Sequence, residues 1–170
     1  AVLLKTEKDI QGKANPLFGL KDDTFKTFED RPNLLTKREV RIQILADLEL
    51  PENGTIWDIG AGCGSIGLEA LKLRPNLKLF CIDKRIGSKE LISENARRLG
   101  VAPKDIIEED INNLFNSNNI NSLREAKRII IGGCNKTTKL RIINELSRHM
   151  NCGDIVAIPL IDIQTIKDLR

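Results

Sequence analysis

Thr55-Ile56-Trp57-Asp58-Ile59-Gly60-Ala61-Gly62-Cys63-Gly64-Ser65-Ile66-Gly67 joins a β-rich run to a helical pattern. A β-rich run ends at Ile59 and a helical pattern starts at Ser65, so five residues, three of them glycine, must turn the chain. Glycines let the backbone come within contact distance of a ligand, and the helix that follows presents unpaired N–H groups and a partial positive charge. A nucleotide-type ligand suits such a turn. Asp83 closes the next β-rich run 23 residues after Gly60, where a carboxylate can accept the hydroxyls of a ribose.

Outward from this unit the same alternation repeats. Residues 55–59, 78–82, 106–109, 128–131 and 155–158 read as strands, with helical patterns at 65–73, 89–99 and 139–149 between them. Parallel strands need crossover connections, so strand, helix, strand repetition predicts an α/β fold with a doubly wound, mostly parallel sheet. Ahead of the first strand, 35–48 reads as a further helix with Val40, Ile44 and Leu48 on one stripe, and Thr36 with Glu39 has capping-box spacing. Residues 5–33 are polar and punctuated by Pro16, Gly19 and Pro32, as in a linker or a flap packed on the domain. The Asn-rich run 112–121 reads as a solvated loop.

Composition narrows the class. The 170 residues, 41% hydrophobic and 30% charged with 12 Gly and 6 Pro, exclude a disordered tail, a collagen-like repeat and a coiled coil. No apolar run approaches the ~20 residues of a membrane span, and a cytoplasmic location is expected. The 27 Lys and Arg are interspersed with 24 Asp and Glu, so no basic stripe points to nucleic acid, while an anionic small substrate remains open. Cys63, Cys81, Cys134 and Cys152 form no Cys-x-x-Cys pair and only one His is present, which argues against a structural metal or a disulfide framework. Cys63 and Cys134 read as small residues filling tight turns, Trp57 as core, and His149 as a cation at a helix end.

Two cofactor registers overlap in the loop. Gly62-Cys63-Gly64-Ser65-Ile66-Gly67 spells the dinucleotide pattern Gly-x-Gly-x-x-Gly, with Asp83 21 residues beyond Gly62. That register leaves Gly60 outside the turn, although the β-run ends at Ile59. Read from Asp58, the pattern is acidic-x-Gly-x-Gly-x-Gly, which resembles class I S-adenosylmethionine-dependent methyltransferases with their Rossmann-like sheet. Outside the loop, Phe18-Gly19-Leu20-Lys21-Asp22-Asp23-Thr24-Phe25, Leu35-Thr36-Lys37-Arg38-Glu39-Val40-Arg41 and Ile131-Gly132-Gly133 narrow the resemblance. Together with the loop they are similar to the decarboxylating precorrin-6Y C(5,15)-methyltransferase family of cobalamin biosynthesis, in its carbon-15-methylating domain, over about residues 16–169.

The resemblance implies S-adenosylmethionine held by Thr36, Gly60, Ala61, Gly62, Cys63, Gly64, Asp83, Asp110 and Ile111. It implies a precorrin substrate against Gly132 and Gly133, and there Lys37, Arg38 and Lys136 are candidate counter-charges for its carboxylates. No catalytic acid or base is nominated, and no metal. Where the family often has Gly-Gly-Ser-Gly-Gly after the fourth strand, this chain has Gly132-Gly133-Cys134-Asn135-Lys136, and Pro159-Leu160-Ile161-Asp162 departs from its small polar residues. A homo-oligomer, a tetramer by resemblance, is also implied. Class I sheets have seven strands and five are legible, so the C-terminal strands are expected to be missing. Residues 1–15, which begin without Met, are expected to be a linker or the remnant of a preceding carbon-5-methylating domain, and 16–170 the methyltransferase domain. Another small-molecule methyltransferase, a non-catalytic fragment with an uncovered sheet edge, and an NAD-dependent oxidoreductase stay open as alternatives.

Overall fold

The computed structural model describes residues 16–32, 34–115 and 120–159. The expectations for residues 1–15, for 116–119 within the Asn-rich run and for Leu160, Ile161 and Asp162 lie outside the described residues. The chain runs α1 (Arg38–Asp47), β1 (Gly54–Ile59), α2 (Ser65–Leu73), β2 (Leu77–Asp83), α3 (Ser88–Leu99), β3 (Asp105–Glu108), α4 (Ile111–Leu114), α5 (Ile120–Arg124), β4 (Ala126–Ile131), α6 (Lys136–Leu146) and β5 (Ile155–Ala157). The five strands form one sheet in the order β3-β2-β1-β4-β5, and every neighbouring pair is parallel. This is a doubly wound, Rossmann-like parallel sheet.

Successive side chains of a strand point to opposite faces, so a strand buried on both sides must feed two cores. Ile56 on β1 packs with Leu68, Leu71 and Ile92 of α2 and α3, whereas Trp57 and Ile59 pack with Ile111, Leu123 and Ile142 of α4, α5 and α6. Trp57 is fully buried and stacks on Phe80 of β2, its register partner, with ring centroids 4.9 Å apart and planes 7° from parallel. α2 is buried along most of its length, matching its short and largely apolar sequence.

Three local expectations are corrected. The capping box does not form: Lys37 is the N-cap of α1 without a side-chain cap bond, and the Arg41 guanidinium instead donates to the Thr36 carbonyl at 2.6 Å. The helix expected at 139–149 starts earlier, because the Asn135 side chain accepts the Thr138 N–H at 2.9 Å and caps α6 there. The Asn-rich run includes α4 and the start of α5, since Asp110 caps α4 and Leu114 and Leu123 are buried against the sheet.

Residues 16–32 and 34–37 form a strap over α1, α2 and α3. Leu20 and Phe25 are buried in the core. The Glu69 carboxylate, fully buried on α2, accepts the N–H groups of Gly19 (2.6 Å) and Leu20 (3.0 Å) and the Arg41 Nε at 2.7 Å. Arg41 is equally buried and also donates to the Leu20 carbonyl and to Asp22, with its guanidinium 4.8 Å from the Phe25 ring centroid. Ionised groups taken out of water are tolerated only when paired and hydrogen-bonded, a condition this cluster meets.

Candidate functional site

In an open α/β sheet the ligand crevice lies beyond the carboxyl ends of the strands, where the strand order reverses. Here that point falls between β1 and β4, and the two turns meet there. The Gly132 N–H donates to the Ile59 carbonyl at 2.7 Å, and a Cβ on Gly60 (φ +70°) would lie 2.7 Å from the Gly133 nitrogen. A side chain at Gly60 would therefore drive the two turns apart. Gly60 and Ala61 donate their N–H groups to the Ile82 carbonyl at 2.8 and 3.1 Å, tying the loop to β2 as well.

Asp83, at the end of β2, accepts the Gly62 N–H with Oδ2 at 2.7 Å and the Arg85 N–H with Oδ1 at 2.9 Å. Its carboxylate thus orders the loop while facing the cleft. Beneath the loop, Asp58 is buried and its Oδ2 accepts the Gly67 N–H at 2.9 Å, holding the first turn of α2 on β1. Burial pushes the Asp58 carboxyl up to about 7, the Gly67 hydrogen bond opposes this, and the neighbouring Asp83 charge adds to it. Gly67 has no room for a side chain: a Cβ would lie 2.9 Å from both Asp58 Oδ2 and a Leu79 methyl.

These turns open into a cleft of about 1220 Å³. Of the residues proposed from the sequence, Thr36, Lys37, Gly60, Ala61, Gly62, Cys63, Asp83, Asp110, Ile111, Gly132 and Gly133 line it. Gly64 does not; it caps α2 at φ +77° against Ile92 and Leu68. Arg38 and Lys136 also lie outside the lining, and the Arg38 Nε is committed to the Gly19 carbonyl at 2.7 Å. His149 is outside it too, 3.6 Å from Glu145. Asp110 accepts the Asn112 N–H, which with the nearby Lys84 holds its carboxyl below the usual range despite partial desolvation.

Other lining residues escaped sequence reading. Lys84, Arg85 and Ile86 follow β2, while Cys134, Asn135, Thr138 and Lys139 follow β4, so position after a strand was the available signal. Phe28, Arg31 and Leu34 come from the strap and carry no such signal. Burial pushes the Cys134 thiol up to about 11 and also raises Cys63, so both stay protonated near neutral pH and neither is an activated nucleophile.

The cleft fits S-adenosylmethionine: a Cβ on Gly62 would meet nothing nearer than the Leu34 carbonyl at 3.9 Å, and the Asp83 carboxylate stands beside it. The sheet order, the glycine loop and the acidic end of β2 define a class I S-adenosylmethionine-dependent methyltransferase. A family model described as "Precorrin methyltransferase domain" matches residues 26–161, and the chain belongs to that family. A "Probable cobalt-precorrin-6B C(15)-methyltransferase (decarboxylating)" of Pyrobaculum aerophilum is 31% identical over 154 residues, 89% of this chain and 73% of the relative. A "Precorrin-6Y C(5,15)-methyltransferase [decarboxylating]" of Sinorhizobium sp is 32% identical over 105 residues, 62% of this chain and 25% of that longer protein. Among solved structures, a precorrin-6Y C5,15-methyltransferase from Geobacter metallireducens superposes with a TM-score of 0.76 at 26% identity, covering 92% of this chain and 78% of the other.

Proposed function

We propose that the domain methylates carbon 15 of a precorrin-6B-type macrocycle and that an acetate side chain of the same substrate loses carbon dioxide. The observation that carries this reading is the Asp83–Gly62 hydrogen bond at the head of a cleft whose lining includes the cations Arg31, Lys37, Lys84, Arg85 and Lys139. S-adenosylmethionine, when bound, supplies a methyl group on an already activated sulfonium. Gly60, Gly62 and Asp83 would hold its amino-acid and ribose parts, with Asp110 and Ile111 at the adenine end.

The protein's task is then mainly alignment. Holding two reactants in line can lower a barrier by roughly 7 to 11 kcal/mol in well-oriented cases. A C–CH3 bond forms as the S–CH3 bond breaks, and the positive charge passes to the macrocycle. The acetate C–CO2 bond then breaks and its electron pair enters the conjugated ring, cancelling that charge. No proton is consumed in the sum, and within the cleft Asp58, Asp83 and Asp110 accept backbone N–H groups while Asp30 pairs with the Arg85 guanidinium. A volume of about 1220 Å³ exceeds the roughly 300 to 1000 Å³ of single-ligand pockets, leaving room for cofactor and the reacting edge of a macrocycle.

Residues 16–170 form the methyltransferase domain in this reading, a homo-oligomer is its assembly, and a preceding carbon-5-methylating domain is its partner in longer proteins. Light scattering at micromolar concentration tests the assembly, and a monomer across that range would remove it. Titration with S-adenosylhomocysteine tests the cofactor: saturable binding is expected, and stabilisation by NAD alone would overturn the reading.

A further inference from the structure

We propose that Asn95, outside the cleft lining, is a positioning residue for cofactor binding. It stands in the interior of α3, where Asn is a poor helix former, and it is fully buried. A buried amide without partners costs free energy, but this one is well supplied. Its Oδ1 accepts the Lys26 N–H at 2.8 Å, and its Nδ2 donates to the Lys26 carbonyl and to the Cys63 carbonyl, both at 2.9 Å. One side chain thus pairs with both backbone groups of a strap residue, as a neighbouring strand would, and at the same time grips the glycine loop.

The consequence is a closed circuit around one wall of the cleft. From Asn95 the strap runs through Lys26 to Phe28, whose ring lies 4.7 Å from the Arg85 guanidinium carbon. The Arg85 N–H donates to Asp83 Oδ1, Asp83 Oδ2 takes the Gly62 N–H, and the adjoining Cys63 carbonyl returns to Asn95. Loop and strap are far apart in the sequence, and Asn95 is where their backbones share a partner. Truncating it frees Lys26 and Cys63 together, so the loop loses its tie to the strap wall and is left to its bonds with β2 and Asp83.

The inference rests on the reading that this cleft takes S-adenosylmethionine. The test compares Asn95→Ala and Asn95→Asp with Leu99→Ala, a cavity variant one turn further along α3 that removes apolar packing from the same core but no hydrogen bond to loop or strap. Isothermal titration of the folded proteins with S-adenosylhomocysteine should show Kd raised about tenfold or more in both Asn95 variants and changed by less than about threefold in Leu99→Ala, even where Leu99→Ala lowers Tm as much. Asn95→Asp keeps the shape and one acceptor, so it carries the comparison if Asn95→Ala does not fold. Amide hydrogen exchange without ligand should quicken at Gly62 in both Asn95 variants and at Lys26 in Asn95→Ala, which loses the acceptor, and at neither in Leu99→Ala. Affinity loss that merely follows Tm across all three variants, or unchanged exchange at both amides, would overturn the proposal. A wild-type protein that fails to bind S-adenosylhomocysteine would instead remove the cofactor reading, and the exchange comparison would still decide the role of Asn95.

Discussion

Asp83 and Gly62 are joined by a 2.7 Å hydrogen bond from the loop N–H to the carboxylate, so the group expected to meet the ribose also shapes the loop that receives the rest of the cofactor. Both Asp83 oxygens accept backbone N–H groups, from Gly62 and Arg85. An Asn amide can satisfy only one of them and turns its NH2 toward the other. Asp83→Asn should therefore weaken S-adenosylhomocysteine binding by about 1 to 3 kcal/mol, close to the effect of Asp83→Ala, as measured by calorimetry. Wild-type affinity in Asp83→Asn would show that neither bond orders the site.

Asp58 predicts a pH dependence of stability. Its folded-state carboxyl titrates at about 7 and its unfolded value is 3.8, so between these limits the folded state binds more protons than the unfolded one. Stability falls as pH rises through this window, by an amount on the order of a few kcal/mol, and the penalty is complete above about 7. Asp58→Asn keeps an acceptor for the Gly67 N–H and cannot ionise. Urea unfolding between pH 4 and 8 should show a flatter profile for the variant, and parallel profiles would contradict the assignment.

Gly60→Ala should separate the two turns at the head of the cleft, because its Cβ would meet the Gly133 nitrogen at 2.7 Å and its φ of +70° is strained for alanine. A loss of about 1 to 3 kcal/mol in stability is expected, with cofactor affinity falling at temperatures where the variant is folded. Thermal melts with and without S-adenosylhomocysteine measure both, and an unchanged ligand-induced shift in Tm would count against the contact.

The fold was legible because local signals agreed: β1 ends at Ile59, α2 occupies the range expected for it, and Asp83 closes β2. The cofactor loop followed from glycines at a strand-to-helix turn. The cation set was only partly legible. Lys37 was visible as a neighbour of Thr36 and does line the cleft, but Arg38, one position on, reaches back to the Gly19 carbonyl, and sequence proximity does not show which way a helix-start side chain turns. Asn95, Arg41 and Glu69 act through contacts with residues distant in the chain, so periodicity and spacing carry no trace of them.

Substrate charge should follow that geometry. Lys37→Ala and Lys139→Ala should each weaken binding of a precorrin analogue by about 1 kcal/mol, since exposed charge pairs are screened, while Arg38→Ala and Lys136→Ala leave it within about twofold. Titration of the four variants checks this. Equal losses in all four would mean that the cations act as a diffuse field and not through the cleft wall.

Methyl transfer with decarboxylation can be read from the products themselves. The most direct measurement is incubation of the folded protein with S-adenosylmethionine and a precorrin-6B-type macrocycle, followed by mass spectrometry of the pigment and quantification of S-adenosylhomocysteine. One methyl gained and one carbon dioxide lost per macrocycle are expected, with one S-adenosylhomocysteine formed. An unmodified macrocycle from a preparation that binds S-adenosylhomocysteine would contradict this reading.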